Sequence, residues 1–344
     1  MRQGTALLVM LLAAGPARAQ QAPCSVVANV VATDPSSLPK GLGVPLSAET
    51  WGQVLQAGWA ADLTAGNSLQ APAKDLQAGA FVARDKRDFI PIESVETDRG
   101  TRRIVFVVDN GEPISLAARQ VEAAAVRAVL SSARPEDSFA LLTAGGPRVA
   151  LPLGSSKDAI QAAVDGLPGA SLKVREGRAV LKSIIEATTW FGSPQLGDSI
   201  FLLARSPKFE NSRVDSPVQS ALASRRIRLF TLGLYAMDWG SVWSPFIALG
   251  DQSGGGWEEV YPLPRKGGAK PASLRAARVH AKLLYEVAAE VYILRLQRTN
   301  PDTIIDLRLQ DLAKMPWVRV IYPRPLPVCP PPTGGVPLPG QKKK

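Results

Sequence analysis

Three short apolar runs, each closed by a loop and followed by helical periodicity, constrain this chain more than any other feature. They are residues 101–110 (TRRIVFVVDN), 198–204 (DSIFLLA) and 227–234 (IRLFTLGL). A strand with one face in water alternates polar and apolar residues, whereas a continuous apolar run is buried on both faces. Between the runs the period changes to that of a helix. Residues 115–132 place Ala118, Val121, Ala125 and Val129 on one face, and residues 176–190 place Val180, Ile184 and Ala187 together. Further helices are expected at 155–167, 214–225, 243–250 and 273–289, another strand at 137–143, and a short edge strand at 148–153.

Strands alternating with helices give an α/β class: a Rossmann-like, mostly parallel sheet with helices on both faces. Ligands on such sheets bind at the carboxyl ends of the strands. That places residues 109–115, 204–208 and 234–238 at the candidate site. The flanks differ. Residues 59–63, 80–83 and 89–96 read as short strands before the sheet. Residues 290–297, 302–309 and 318–321 read as antiparallel strands after it, the first two joined as a hairpin by Thr299-Asn300-Pro301-Asp302. The two flanks are expected to pair into one small β module. The expected organisation is a signal peptide over 1–19, an N-terminal β flank over 20–100, the α/β domain over 101–270, a C-terminal helix and hairpin over 271–322, and a Pro-rich basic tail over 323–344.

Composition narrows the function. With 344 residues, 46% hydrophobic and 20% charged, the chain can bury a sizeable core. One histidine and two cysteines argue against a histidine-based zinc site, a four-cysteine zinc site and an all-cysteine iron–sulfur cluster. The formal charge of +10 is spread along the chain apart from Lys342-Lys343-Lys344, with no basic cluster interleaved with aromatics, so nucleic acid is not an expected partner.

The N-terminus reads as an export signal: Arg2, an apolar stretch over 6–14, and Ala17-Arg18-Ala19 before cleavage. The apolar stretch is too short to span a bilayer, and no run of spanning length follows. The mature chain is expected in the periplasm or outside the cell. Oxidation then makes a disulfide between Cys24 and Cys329 the favoured state, tying the termini together. A lipid anchor on Cys24 is the rival, although Gln21-Ala22-Pro23 is a poor lead-in, and two free thiols are the remaining alternative. The proline density of the tail forbids helix, leaving a solvated tail or a partner-binding polyproline strand.

The strand RRIVFVVDNGEP ending in Asp109, the strand SIFLLARS, and RRIRLFTLGL followed by IALGDQSGGGWEEV together resemble the von Willebrand factor type A domain, the integrin I-like fold. KDLQAGAFVARDKRDFIPIESV and YILRLQRTNPDTIIDLRLQDLAKMPWVRVIYPRPL resemble the flanks of the exported type A-related proteins of acidobacteria. The resemblance covers roughly residues 50–325 and implies a protein-binding role. Metal-binding members of the family hold a divalent cation on Asp-x-Ser-x-Ser, a Thr and a second Asp, hard oxygens suited to Mg²⁺ or Mn²⁺. By that resemblance Asp109 is the first ligand. Gly111 and Pro113 stand where the serines belong, Arg178 where the Thr belongs, and Arg205 where the last Asp belongs. The implied site is a degenerate remnant that takes no metal or other cofactor, with Arg178 or Arg205 paired to Asp109 or else free in solvent. Its rim, expected to meet an acidic protein partner, comprises Asp109, Asn110, Glu112, Arg178, Arg205, Trp239 and Trp243.

Two rival readings remain. A structural part with no ligand on that face is the first. A serine hydrolase is the second, resting only on Gly197-Asp198-Ser199 with the lone His280, without the Asp-x-x-His spacing such enzymes carry. No Gly-x-Ser-x-Gly elbow or phosphate-binding loop is present. The expected protein is therefore an exported, non-catalytic interaction module.

Overall fold

The computed structural model describes residues 24–32, 75–85, 88–110, 114–168, 177–204, 216–234, 245–260, 263–264, 266–298, 305–309 and 320–322. Its centre is the strand Arg103–Asp109 (β5), buried at every position from Ile104 onward. Alternate side chains of this strand enter different cores. Ile104, Phe106 and Val108 pack on one face of the sheet, and Val105 and Val107 on the other. The continuous apolar run therefore has the cause that the sequence suggests: both faces are covered.

Around β5 lie Ser138–Ala144 (β6), Ala150–Ser155 (β7), Ser199–Ala204 (β8), Arg228–Leu234 (β9) and Gly256–Val260 (β10). The order across the sheet is β10-β9-β8-β5-β6-β7, with β7 antiparallel to β6 and every other pairing parallel. Numbered along the chain, these six strands lie 3-2-1-4-5-6, the order of a doubly wound sheet whose direction of winding reverses between the first and fourth strands, here β5 and β8. Leu116–Ser132 (α1), Lys157–Asp165 (α2) and Pro271–Ala289 (α6) contribute to the core on one face. Gly177–Thr189 (α3), Ser216–Arg225 (α4) and Pro245–Ser253 (α5) contribute to the other. Four phenylalanines cross the first face in contact: Phe139 with Phe106 (ring centroids 6.0 Å), Phe106 with Phe201 (6.0 Å) and Phe201 with Phe230 (5.1 Å). The Rossmann-like sheet expected from the sequence is thus the sheet observed. Since α6 supplies Ala277, Ala281 and Leu284 to its core, the helical layer continues past residue 270.

The flanks form two facing antiparallel sheets. Cys24–Ala32 (β1), Ile92–Asp98 (β4), Val291–Arg298 (β11) and Val320–Ile321 (β13) form one, in the order β13-β1-β11-β4. Phe81–Asp85 (β2), Asp88–Ile90 (β3) and Ile305–Leu309 (β12) form the other, in the order β12-β2-β3. Phe81, Ala83 and Leu307 meet Tyr292, Leu294, Leu296 and Tyr322 in a common core. The chain's two ends therefore pair with each other, β1 with both β11 and β13. The expected hairpin is not formed. Both edges of β11 are taken, by β1 and β4, and β12 pairs with β2 in the facing sheet. The expected strand at 59–63, the turn at 299–302, the signal peptide and the tail lie outside the described residues.

The turn into β10 shows why its middle glycine is there. A Cβ on Gly255 would meet the Leu229 carbonyl oxygen at 2.0 Å and its carbon at 2.6 Å, both backbone atoms of β9. Nothing in that contact is free to rotate away. Gly255→Ala is expected to cost about 3 kcal/mol or to abolish folding, whereas Gly79→Ala, which meets nothing within 4 Å, stays within about 0.5 kcal/mol. Urea unfolding monitored by circular dichroism measures both.

Candidate functional site

The parallel strands β5, β8 and β9 end at Asp109, Ala204 and Leu234 on one edge of the sheet. Of the residues expected there, Asp109 and Asn110 are described and buried. Arg178 is the second residue of α3, and its side chain is outside the described set. Glu112, Arg205, Trp239 and Trp243 lie outside it altogether, in the segments that follow β5, β8 and β9. Cys329 is also outside; Cys24 opens β1, where its backbone pairs with Arg298.

What the structure brings to Asp109 and Asn110 is a residue the sequence reading passed over, Arg119. It stands in the second turn of α1, which Ser115 caps by accepting from the Ala118 amide at 3.2 Å. The Arg119 guanidinium is buried. Its Nη1 donates to the Asp109 carbonyl oxygen at 3.1 Å and to Glu122 Oε2 at 2.7 Å. Its Nη2 donates to Asn110 Oδ1, and its Nε to the Pro168 carbonyl at 3.2 Å. One side chain thereby ties the end of β5, the helix that follows it and the chain beyond α2. Ion pairs enclosed in this way are weak sources of net stability but costly to break from one side. The signal that could have found Arg119 is the Arg119–Glu122 pair at i, i+3, beside the buried stripe of an Ala-rich helix.

Asn110 is held from its other side as well. Its amide donates to the Ala144 carbonyl at 2.7 Å and its Nδ2 to the Pro147 carbonyl at 3.2 Å. Thr143, at the end of β6, donates to the same Pro147 oxygen at 3.1 Å and accepts from the Val149 amide at 2.8 Å. Among the described residues, the floor of the candidate site is therefore a hydrogen-bond network running from β6 through Asn110 to Arg119. Above it the first residue of α1, Leu116, is 55% exposed.

The residues of the hydrolase reading are elsewhere and otherwise engaged. Ser199 opens β8 at the amino end of the strand, is fully buried, and donates to the Gly197 carbonyl at 3.0 Å. Asp198 binds Arg103 through both carboxylate oxygens, each at 2.7 Å. His280 of α6 pairs through Nδ1 with the buried Glu258 of β10. The next residue of that strand, Glu259, has its carboxyl pushed up to about 7, first by burial and then by the Glu258 charge, with His280 opposing.

No family model matches the chain, and no curated protein matches it. Solved structures similar to it include BatB from Bacteroides thetaiotaomicron, at 15% identity over 53% of this chain and 98% of that one, TM-score 0.38. Proximal thread matrix protein 1 from the mussel byssus is similar at 12% identity over 56% and 50%, TM-score 0.40. A von Willebrand factor type A protein from Catenulispora acidiphila is similar at 11% identity over 73% and 75%, TM-score 0.39. The doubly wound order, the antiparallel edge strand β7 and the helices on both faces give this chain a Rossmann-like α/β fold.

Two expectations test this description. Arg119→Met leaves Glu122 buried opposite an apolar chain, and denaturant melts should show a loss of about 3–5 kcal/mol. Glu259 binds its proton more tightly folded than unfolded. Stability should therefore fall as pH rises from about 4.5, its ordinary value, through about 7. In Glu259→Gln this part of the pH profile of the melting midpoint should flatten.

Proposed function

We propose that the chain is an exported, non-catalytic protein-interaction module that binds its partner at the carboxyl-end face of the sheet without a divalent cation. The observation that carries this reading is the Arg119 clamp. A buried guanidinium donates to the carbonyl of the residue that would be the first metal ligand and to the side chain of the next one. The Asn110 oxygen, the nearest in sequence to Asp109, is thereby already engaged as an acceptor. The two serine positions add no oxygens, since Gly111 and Pro113 have none in their side chains, and Glu112 between them would make only a second carboxylate beside Asp109, too few for tight Mg²⁺ binding. Glu122 faces Arg119 from within the helix. The donor set does not fit Mg²⁺, and no step runs through a metal in this reading.

The type A resemblance supports an interaction role, and the exposed Leu116 supplies an apolar contact beside the loop that follows Asp109. Arg205, Trp239 and Trp243 would complete the rim, with the arginine drawing an acidic partner. Export is supported by the leader-like first 19 residues. Among the described residues no helix is long and apolar enough to cross a membrane. The Cys24–Cys329 disulfide belongs to the same reading, supported by the antiparallel pairing of β1 with β13, Val31 opposite Ile321. The rival reading, a scaffold with no ligand on this face, is favoured by the same clamp, because its hydrogen bonds are all internal.

Thermal melts in EDTA and in excess Mg²⁺ or Mn²⁺ should coincide. A rise with metal that disappears in Asp109→Ala would overturn the metal-free site. Affinity capture from the exported fraction of the producing cells separates the two readings. Leu116→Asp should lose a partner that the wild type retains, at an unchanged melting midpoint. Equal capture would favour the scaffold. On the mature protein, neither cysteine should react with iodoacetamide until reductant is added.

A further inference from the structure

Two arginines are buried at the opposite edge of the sheet, where its parallel strands begin. Arg102 precedes β5 and Arg228 opens β9, with exposures of 0% and 2%. The register sets them on one face. Arg228 lies opposite Ser199, Ser199 opposite Ile104, and Arg102 stands two residues before Ile104. The Arg102 side chain passes over Gly197, where a Cβ would meet its Nη1 at 2.7 Å. Gly197 has φ +97°, so glycine is required there for both reasons. Both arginines reach the end of α6. Arg102 Nη2 donates to the Ala289 carbonyl and Arg228 Nη2 to the Ala288 carbonyl, each at 2.8 Å.

The nearby carboxylates are committed to other partners. Asp98 accepts from Arg102 Nη1 at 2.8 Å through one oxygen and from the Gly100 amide at 2.9 Å through the other. Asp198 is bound twice by Arg103 and also accepts from the Gln195 amide at 2.8 Å. Asp137 accepts from the Arg102 amide at 2.9 Å, the Arg134 amide at 3.1 Å and the Tyr285 hydroxyl at 2.6 Å. Three donor nitrogens remain. Arg228 Nε, Arg228 Nη1 and Arg102 Nε have no hydrogen-bond partner among the described residues. Arg228 also faces the Phe230 ring, 5.4 Å from its centroid, which offsets part of its charge but accepts no strong hydrogen bond.

We propose that a small monovalent anion of the chloride kind binds against Arg228, between it and Arg102, at the base of the sheet. The charge count favours a monoanion. Arg103 and Asp198 balance each other, Asp98 balances one of the two buried guanidiniums, and Asp137 is matched by Arg134, whose guanidinium reaches the Ala289 carbonyl at 3.3 Å, leaving one positive charge among these groups. A guanidinium keeps its proton in proteins, so that charge is not shed by ionisation. Burial first and Arg102 second push Arg228 down to about 9, the direction expected of a cation short of negative charge. Chloride accepts hydrogen bonds from several directions, donates none and occupies the volume of one atom. A water would satisfy an N–H without answering the charge. The ion would lie at the junction of the two modules, because Asp98 ends β4 and Ala289 is followed by β11. Anion binding would therefore hold the β-sandwich to the α/β sheet.

The full chain is melted in sodium chloride and in sodium gluconate at one ionic strength, so that screening is equal. Chloride should raise the midpoint saturably, by about 2 °C at ten times its dissociation constant. In Arg228→Met, which keeps the length and removes the charge, the chloride effect should vanish. Should that variant fail to fold, the wild type decides through bromide-soaked crystals. An anomalous peak beside Arg228 is expected. Coincident melts in the two salts, a chloride effect that survives in Arg228→Met, or a water in place of bromide would each overturn the proposal.

Discussion

The last carbonyls of α6 end inside the protein, and the structure depends on what meets them. A helix leaves its final carbonyls without partners, and water cannot reach Ala288 and Ala289. Guanidiniums reach instead: Arg228 to the Ala288 oxygen, Arg102 to the Ala289 oxygen, and Arg134 to the same oxygen at 3.3 Å. Positive charge suits the negative end of a helix dipole, so the same side chains answer both the hydrogen-bond and the electrostatic demand. The chain then passes from α6 into β11 without a solvated loop. Arg102 also takes the Asp98 carbonyl at 2.8 Å, so the incoming strand β4 and the outgoing strand β11 are fixed at one point. The sheet, its helical layer and the sandwich meet there.

This arrangement separates what was legible in the sequence from what was not. The strands β5, β8 and β9 were legible because burial on both faces forces an uninterrupted apolar run, and two cores use its alternate residues. The start of α1 at Ser115 was legible from a hydroxyl before an Ala-rich face. At α2 the adjacent serines misled by one position. Ser156 caps the helix, and Ser155 bonds back to the Pro152 carbonyl at 2.7 Å. Strand β10 was hidden because GWEEV carries two acids. Glu258 nevertheless lies buried, its carboxyl bonded to His280, a partner on another element that no local pattern reveals. Strand β1 and the separation of β11 from β12 were hidden for a different reason. Nearness in sequence suggested a hairpin, whereas the pairing that forms joins the two ends of the chain.

The candidate site was half legible. Asp109 follows from the rule that sites lie at the carboxyl ends of parallel strands, and it ends β5 where the winding reverses. Arg119 does not follow from any such rule. A charged residue beside an apolar helical stripe ordinarily reads as a solvated flank. Arg119 is buried because Asn110, Glu122 and two carbonyls surround it with acceptors, and three of those four lie outside its own helix. Such a position is fixed by the fold before it can be read from the helix.

Arg119 and Arg228 are the same residue type at opposite edges of one sheet, both buried, and the contrast between them is informative. Arg119 spreads its donors over four acceptors, one of them a carboxylate, so its charge is met and its position fixed. Among the described residues Arg228 donates to a single carbonyl, and its first charged neighbour is another guanidinium, ahead of the carboxylates of Asp98 and Asp198. Burial alone therefore does not tell a structural arginine from one that calls for a ligand; the saturation of its donors does. By that measure the described part of the carboxyl-end edge around Arg119 is internally bonded, beside the exposed Leu116. The base of the sheet is where the protein retains unmet capacity for a small ion, and that ion would act on how the two modules hold together rather than on what the upper face binds.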